Sequence, residues 1–275
     1  MAWTKLKNII ICILLATNLC LLAFTAYRGS RNRSQQAQAR AEIISFLQKQ
    51  GIRVDEEQVP SAVTLLPQQV SRNVEEECVL AAALLEGEVF AEARGGEVYR
   101  YYNDKGSVQF HSNGDFSAQF TPGLEAGEAD LEEHALSVLR RMSFSGRVTA
   151  RERTEGGEML TVQQLWQGAP VLSCQAVLRY RDGRLAAITG GRRLTGEPEE
   201  ESGSAPITAA TALMRFYTGM NALGDVCSEI SGITQAYAVA STVSGPMPLV
   251  PVWCITTDTG SYQLDTLTGT LSRAA

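Results

Sequence analysis

The feature that most constrains this chain is an uncharged run, NIIICILLATNLCLLAFTAY, over residues 8–27. About twenty consecutive apolar residues is the length a helix needs to cross the hydrocarbon core of a bilayer. Lys5 and Lys7 precede the run and Arg28, Arg31 and Arg33 follow it. A cut after Ala26 would place Phe24 where a signal peptidase wants a small residue, and Cys20 follows Thr17-Asn18-Leu19 instead of a lipobox. The run therefore reads as an uncleaved anchor: residues 1–7 a tail, 8–27 a transmembrane helix, 28–40 a flexible juxtamembrane linker.

Charge alone leaves the orientation open. The three arginines after the span outnumber the two lysines before it, which favours a cytoplasmic body. A short tail ahead of a first helix commonly stays inside while the long remainder is exported, which favours the opposite. The first 40 residues hold six bases and no acid, so the remainder carries 18 bases against 30 acids, a balance of −12. Such a body is a poor nucleic-acid surface, because phosphate binding needs clustered cations. The arginines beside the span suit anionic lipid head groups.

Within the span, Leu14, Asn18, Leu21 and Thr25 recur at helical spacing on one face. An amide in lipid gains by bonding to a neighbouring helix, so this stripe is the candidate contact with a membrane partner; a tolerated Asn without a specific partner is the plain alternative.

Beyond the anchor, helical and strand patterns alternate. Ile43, Ile44, Phe46 and Leu47 mark a short amphipathic helix stopped by Gly51. Turn signals at Glu86-Gly87, Gly95-Gly96, Asp104-Lys105-Gly106 and Asn113-Gly114 predict an antiparallel meander, with residues 78–85 either its first strand or a helix. These elements make up an N-terminal part, 41–125. The segment EADLEEHALSVLRRM, with acids early and arginines late, predicts a helix, and RVTARER, MLTVQQLW, PVLSCQAVLRY and RLAAITG predict strands of a unit at 126–195. GEPEEESGSAP at 196–206 reads as an acidic linker. A helix from Thr208 and strands at ITQAYAVAS, VPVWCITT, SYQLD and TLSR repeat the plan over 207–275. The fold class is α+β, with two units that look like divergent copies of one helix-on-sheet module.

Three passages carry a family resemblance. The opening MAWTKLKNIIICILLATNLCLL, the central LTVQQLWQGAPVLSCQAVLRYRDGRLAAITGG and the ending PVWCITTDTGSYQLDTLTGTLS resemble the YycI-type regulatory proteins of Gram-positive bacteria, built from PepSY-like modules. The resemblance implies an extracytoplasmic domain of PepSY-like units, a cytoplasmic N-terminus and a single-pass location in the cell membrane. It implies a role in restraining a membrane sensor histidine kinase of a two-component system that controls the cell wall, with a companion regulatory protein as a second partner. The acidic linker and the exterior cysteines depart from the pattern. A PepSY-type inhibitor or binding module for an exported peptidase is the second reading.

Chemistry has little foothold. His111 and His134 lie outside any catalytic or metal-binding motif, and His134, after Glu132 and Glu133, reads as part of a solvated helix face. No Gly-x-Ser-x-Gly elbow, P-loop or dinucleotide fingerprint occurs. The expectation is no enzyme, no cofactor and no metal. Cys78, Cys174, Cys227 and Cys254 allow three disulfide pairings, with buried thiols an equal alternative. Trp166 and Trp253 read as core residues.

Overall fold

A computed structural model describes residues 2–127, 130–190, 193–194, 196–200, 206–240 and 245–274; within the first helix the side chains at 2–13, 16, 19, 23, 25–30 and 32–33 lie outside that description. In chain order the elements are α1 (Ala2–Lys49), β1 (Arg53–Val54), a 3-10 turn (Glu56–Gln58), β2 (Gln68–Val70), α2 (Val74–Leu84) and β3 (Phe90–Ala93). Next come β4 (Tyr99–Asn103), β5 (Gly106–Phe110), β6 (Phe116–Glu125), α3 (Leu131–Arg140), β7 (Gly146–Thr154) and β8 (Gly157–Trp166). The chain continues through β9 (Ala169–Arg181), β10 (Arg184–Gly190), β11 (Pro198–Glu200), α4 (Ala209–Ala222) and β12 (Glu229–Val239). It ends with β13 (Met247–Thr257), β14 (Ser261–Asp265) and β15 (Leu271–Arg273). Among the described residues four α-helices and mostly antiparallel strands make an α+β fold.

The chain forms two compact units, and they cut across the expected modules: unit 1 is 1–63, 208–233 and 256–260, and unit 2 is the rest. In unit 1, α1 is continuous for 48 residues, so the stretch 28–40 expected to be a flexible linker is helical. The cause is local: SRNRSQQAQAR holds no Pro and is rich in Arg, Gln and Ala, all good helix formers. The helix then stops as its glycine predicts. Gly51, at φ +84°, donates to Gln48 O and Ile52 N donates to Leu47 O, both at 3.0 Å, which is a Schellman closure. Ile43, Ile44 and Leu47 are buried, as are Leu213, Phe216 and Met220 of α4, and Phe46 meets Tyr217 edge-on at 5.3 Å. β1 pairs in parallel with the start of β12, Arg53 opposite Glu229 and Val54 opposite Ile230.

Among the described residues no helix is long and apolar enough to cross a membrane. Much of the expected span 8–27 falls among the α1 side chains outside the description.

Unit 2 is built on eight antiparallel strands in the order β7-β8-β9-β10-β6-β5-β4-β3. The expected meander and the expected unit at 126–195 are therefore one sheet. β6 is ten residues long and offers its second edge to β10, Ala118 opposite Ile188. One core unites them: Ala81 and Leu84 of α2 and Ala135, Val138 and Leu139 of α3 pack with Val108, Phe110, Phe116, Leu160, Val162 and Leu178. Residues 78–85, left between strand and helix by their pattern, lie mostly in α2, capped by Asn73, whose side chain accepts from Glu75 N and Glu76 N. A second core holds Val70, Val171, Cys174, Tyr237 and Leu249. β9 serves both, and its buried positions shift from odd at Ala169 and Val171 to even from Cys174 onward. Residues 198–200, expected to be linker, form β11 and pair with β2, Glu199 opposite Gln69.

Candidate functional site

The candidate partner-contact face lies on α1. At 100° per residue, positions 14, 18, 21 and 25 fall within about 60° of one another. Leu14, Asn18 and Leu21 are exposed, Leu14 and Leu21 at 58% and 57%. Thr25 lies outside the described side chains, as do Arg28 and Arg33 of the three arginines expected to meet lipid head groups, while Arg31 is exposed. Two large leucines and an amide are thus presented outward on one stripe.

Below that stripe, unit 1 holds a cleft of about 620 Å³ lined by residues 35–37 and 39–40 of α1, 60–63, and 208–210 at the start of α4. Five alanines, Pro60 and Val63 make its apolar wall, and Gln35, Gln36, Ser61 and Thr208 add polar groups. Arg40 closes one side and donates to Glu56 O, and its Nε is buried without a bond. The charge in this cleft thus comes from one guanidinium.

Unit 2 carries the titratable clusters. A cleft of about 390 Å³ gathers Glu86, Lys105, Glu125, His134, Arg141 and Arg184. Two carboxylates face three cations there: Glu86 accepts from Arg141 at 2.5 Å and sits 3.5 Å from Lys105, and Arg184 binds Glu125. The Arg141 bond holds the Glu86 carboxyl below its usual range. His134 is half-buried, Nδ1 2.8 Å from the Tyr180 hydroxyl with the rings edge-on, which corrects the solvated-face expectation. Phase explains the difference, because residue 134 lies one position from buried Ala135 and turns partly inward. Burial, then Arg141, lowers the imidazole's pKa. His111 lies 3.1 Å from the Gln109 amide, at the hairpin its sequence context predicts.

The buried ionic group of unit 2 is one that sequence reasoning missed. Arg72 makes a two-pronged bond to Glu77, Nε to Oε1 at 2.6 Å and Nη2 to Oε2 at 2.9 Å, with Glu77 3% and Arg72 14% exposed. The Glu75-Glu76-Glu77 run reads as solvated surface, and only the helical phase of α2 turns its third member inward. Arg193 is also buried: Nη1 donates to Met142 O at 3.0 Å and its guanidinium lies 4.7 Å from the Phe110 ring centroid. Desolvation brings its pKa down to about 10.

Trp253 is fully buried and donates to Ile207 O. Trp166, only half-buried, donates to the Gln68 side chain. Among the described residues Cys20, Cys78, Cys227 and Cys254 are free thiols, Cys174 is buried, and burial pushes Cys254 up to about 11. Among the described residues no group of three or more His, Cys, Asp or Glu side chains is arranged to hold a metal.

Comparison with known proteins adds little. No family model matches the chain and no curated protein matches it. Of the solved structures, an uncharacterized protein from Eubacterium rectale is similar with a TM-score of 0.45 and 12% identity, over 77% of this chain and 86% of that one. The C-terminal domain of Bacillus megaterium YpeB is similar with a TM-score of 0.40 and 10% identity, over 75% of this chain and 99% of that one.

Proposed function

We propose that the chain is a single-pass, membrane-anchored regulatory protein whose extracytoplasmic domain and anchor helix hold a sensor histidine kinase of a cell-wall-controlling two-component system in a restrained state. The observation that carries the reading is the continuity of α1. The uncharged run 8–27 and the buried residues Ile43, Ile44 and Leu47 belong to one helix. At 1.5 Å per residue the 48 residues extend about 72 Å. A rod of that kind passes a displacement at one end to the other without a hinge. The sequence resemblance supplies the kinase and the outward orientation, with Arg28, Arg31 and Arg33 meeting anionic head groups.

The test is co-purification from membranes. The full chain in neutral detergent should retain a membrane kinase, and Asn18→Leu should weaken that retention, because it removes the amide from the Leu14, Asn18, Leu21, Thr25 stripe. Protease added outside intact cells should degrade the body and spare the tail. A body protected from that protease would overturn the orientation. If residues 41–275 alone captured an exported peptidase, while neither they nor the full chain retained a kinase, the inhibitor reading would replace this one.

A further inference from the structure

Strand β3 is an end strand. Among the described residues it pairs only with β4, and all four of its residues are exposed, Phe90 at 68%. Such an edge presents a row of backbone donors and acceptors. Their direction follows from the hairpin. Arg94 N donates to Val98 O, so position 94 is bonded inward, and by alternation so are Glu92 opposite Arg100 and Phe90 opposite Tyr102. The N–H and C=O groups of Ala91 and Ala93 therefore point to the open side. Beside them lies an apolar surface: the Phe90 and Tyr102 rings are 5.7 Å apart, with the Arg100 guanidinium 5.1 Å from the Tyr102 centroid.

We propose that this edge pairs antiparallel with β3 of a second copy, in the register centred on Ala91. Only registers that bring outward-pointing residues together can form bonds, which leaves three centres. Centring on Glu92 sets two carboxylates face to face at the closest spacing in the ladder. Centring on Ala93 forces Gly95 and Gly96, at φ +79° and +59°, into an extended ladder that their left-handed backbone leaves. Centring on Ala91 avoids both. It opposes Ala91 with Ala91 of the copy and Phe90 with Glu92. It also opposes Glu88 with Arg94 at each end, giving two ion pairs of complementary sign. The two Phe90 rings become diagonal neighbours, within reach of each other and of the copy's Arg94. The chemistry of residues 88–94 is thus self-complementary in one register.

The experiment uses the full chain in neutral detergent, followed by sedimentation velocity and by oxidative crosslinking. The chain should show a concentration-dependent dimer. Ala91→Pro should abolish it and leave thermal unfolding of the monomer in place, because the Ala91 N–H serves no bond within its own sheet and edge strands tolerate proline. Arg94→Glu should raise the dimer Kd about tenfold by turning two attractions into repulsions, and the double variant Glu88→Arg with Arg94→Glu should recover it. Ala91→Cys should crosslink to itself, since bonded antiparallel partners stand about 5.5 Å apart at Cα, inside disulfide range; Glu92→Cys should not. A chain that stays monomeric at every concentration, or one in which Glu92→Cys crosslinks and Ala91→Cys does not, overturns the proposal. If Ala91→Pro fails to fold, the charge swap and the crosslinks decide alone.

Discussion

At the scale of single residues, the strongest constraint is the Arg72–Glu77 pair. Both charges are withdrawn from water, so breaking the pair leaves one of them buried without its counter-charge, a loss of about 3–5 kcal/mol. Arg72→Met should lower stability by about that amount in urea unfolding. Arg72→Met combined with Glu77→Gln should recover part of it, because no uncompensated charge then remains. His134 gives a prediction in pH. Its folded pKa lies below the ordinary value of 6.5, so below about that pH the unfolded chain takes up the proton more readily than the folded one. The stability it contributes is complete above that value and is lost as pH falls towards the lowered folded pKa. His134→Gln should flatten the fall in melting temperature between pH 7 and pH 5.

At the scale of elements, α2 shows how caps decide between helix and strand. Asn73 satisfies two of the N–H groups that a helix start leaves open, at 3.1 and 3.2 Å. Asn73→Ala should cost about 1 kcal/mol, measured by chemical unfolding, with hydrogen exchange quickening first at Glu75 and Glu76. Elements of this kind were legible where a local signal exists. The strands from β7 to β10 follow alternating runs and tight turns, and α4 begins at Ala209, one residue after the Thr208 start read from the sequence, with Thr208 as its cap. What was not legible is non-local. Nothing near Phe116–Glu125 announces that its far edge meets β10, and Tyr237 meets Val171 in parallel across 66 positions. The continuity of α1 was hidden for another reason: a polar stretch rich in helix formers has the same composition whether it is solvated coil or solvated helix. The candidate face fared similarly, since Leu14, Asn18 and Leu21 share a side of the helix by periodicity alone, whereas the Glu77 pairing depends on a phase that three consecutive glutamates do not reveal.

At the scale of the whole molecule, the regulatory reading depends on α1 acting as one piece between residue 27 and Ile43. That interval can be broken without touching either end. Ala37 is exposed in mid-helix, and proline there removes an intrahelical bond and clashes with the preceding turn, at about 3 kcal/mol or more. The cost falls on helix continuity, because the buried positions Ile43, Ile44 and Leu47 lie more than a turn further on. Under the proposed function, Ala37→Pro should leave membrane association and the melting transition of the folded body nearly unchanged while releasing the kinase from restraint, read as increased autophosphorylation in membranes. Ala37→Ser, which keeps the helix, should restrain the kinase as the parent chain does. Equal restraint by both variants would show that the helix is only a tether, and would leave the Asn18 stripe and the surface of the body as the places where regulation is exerted.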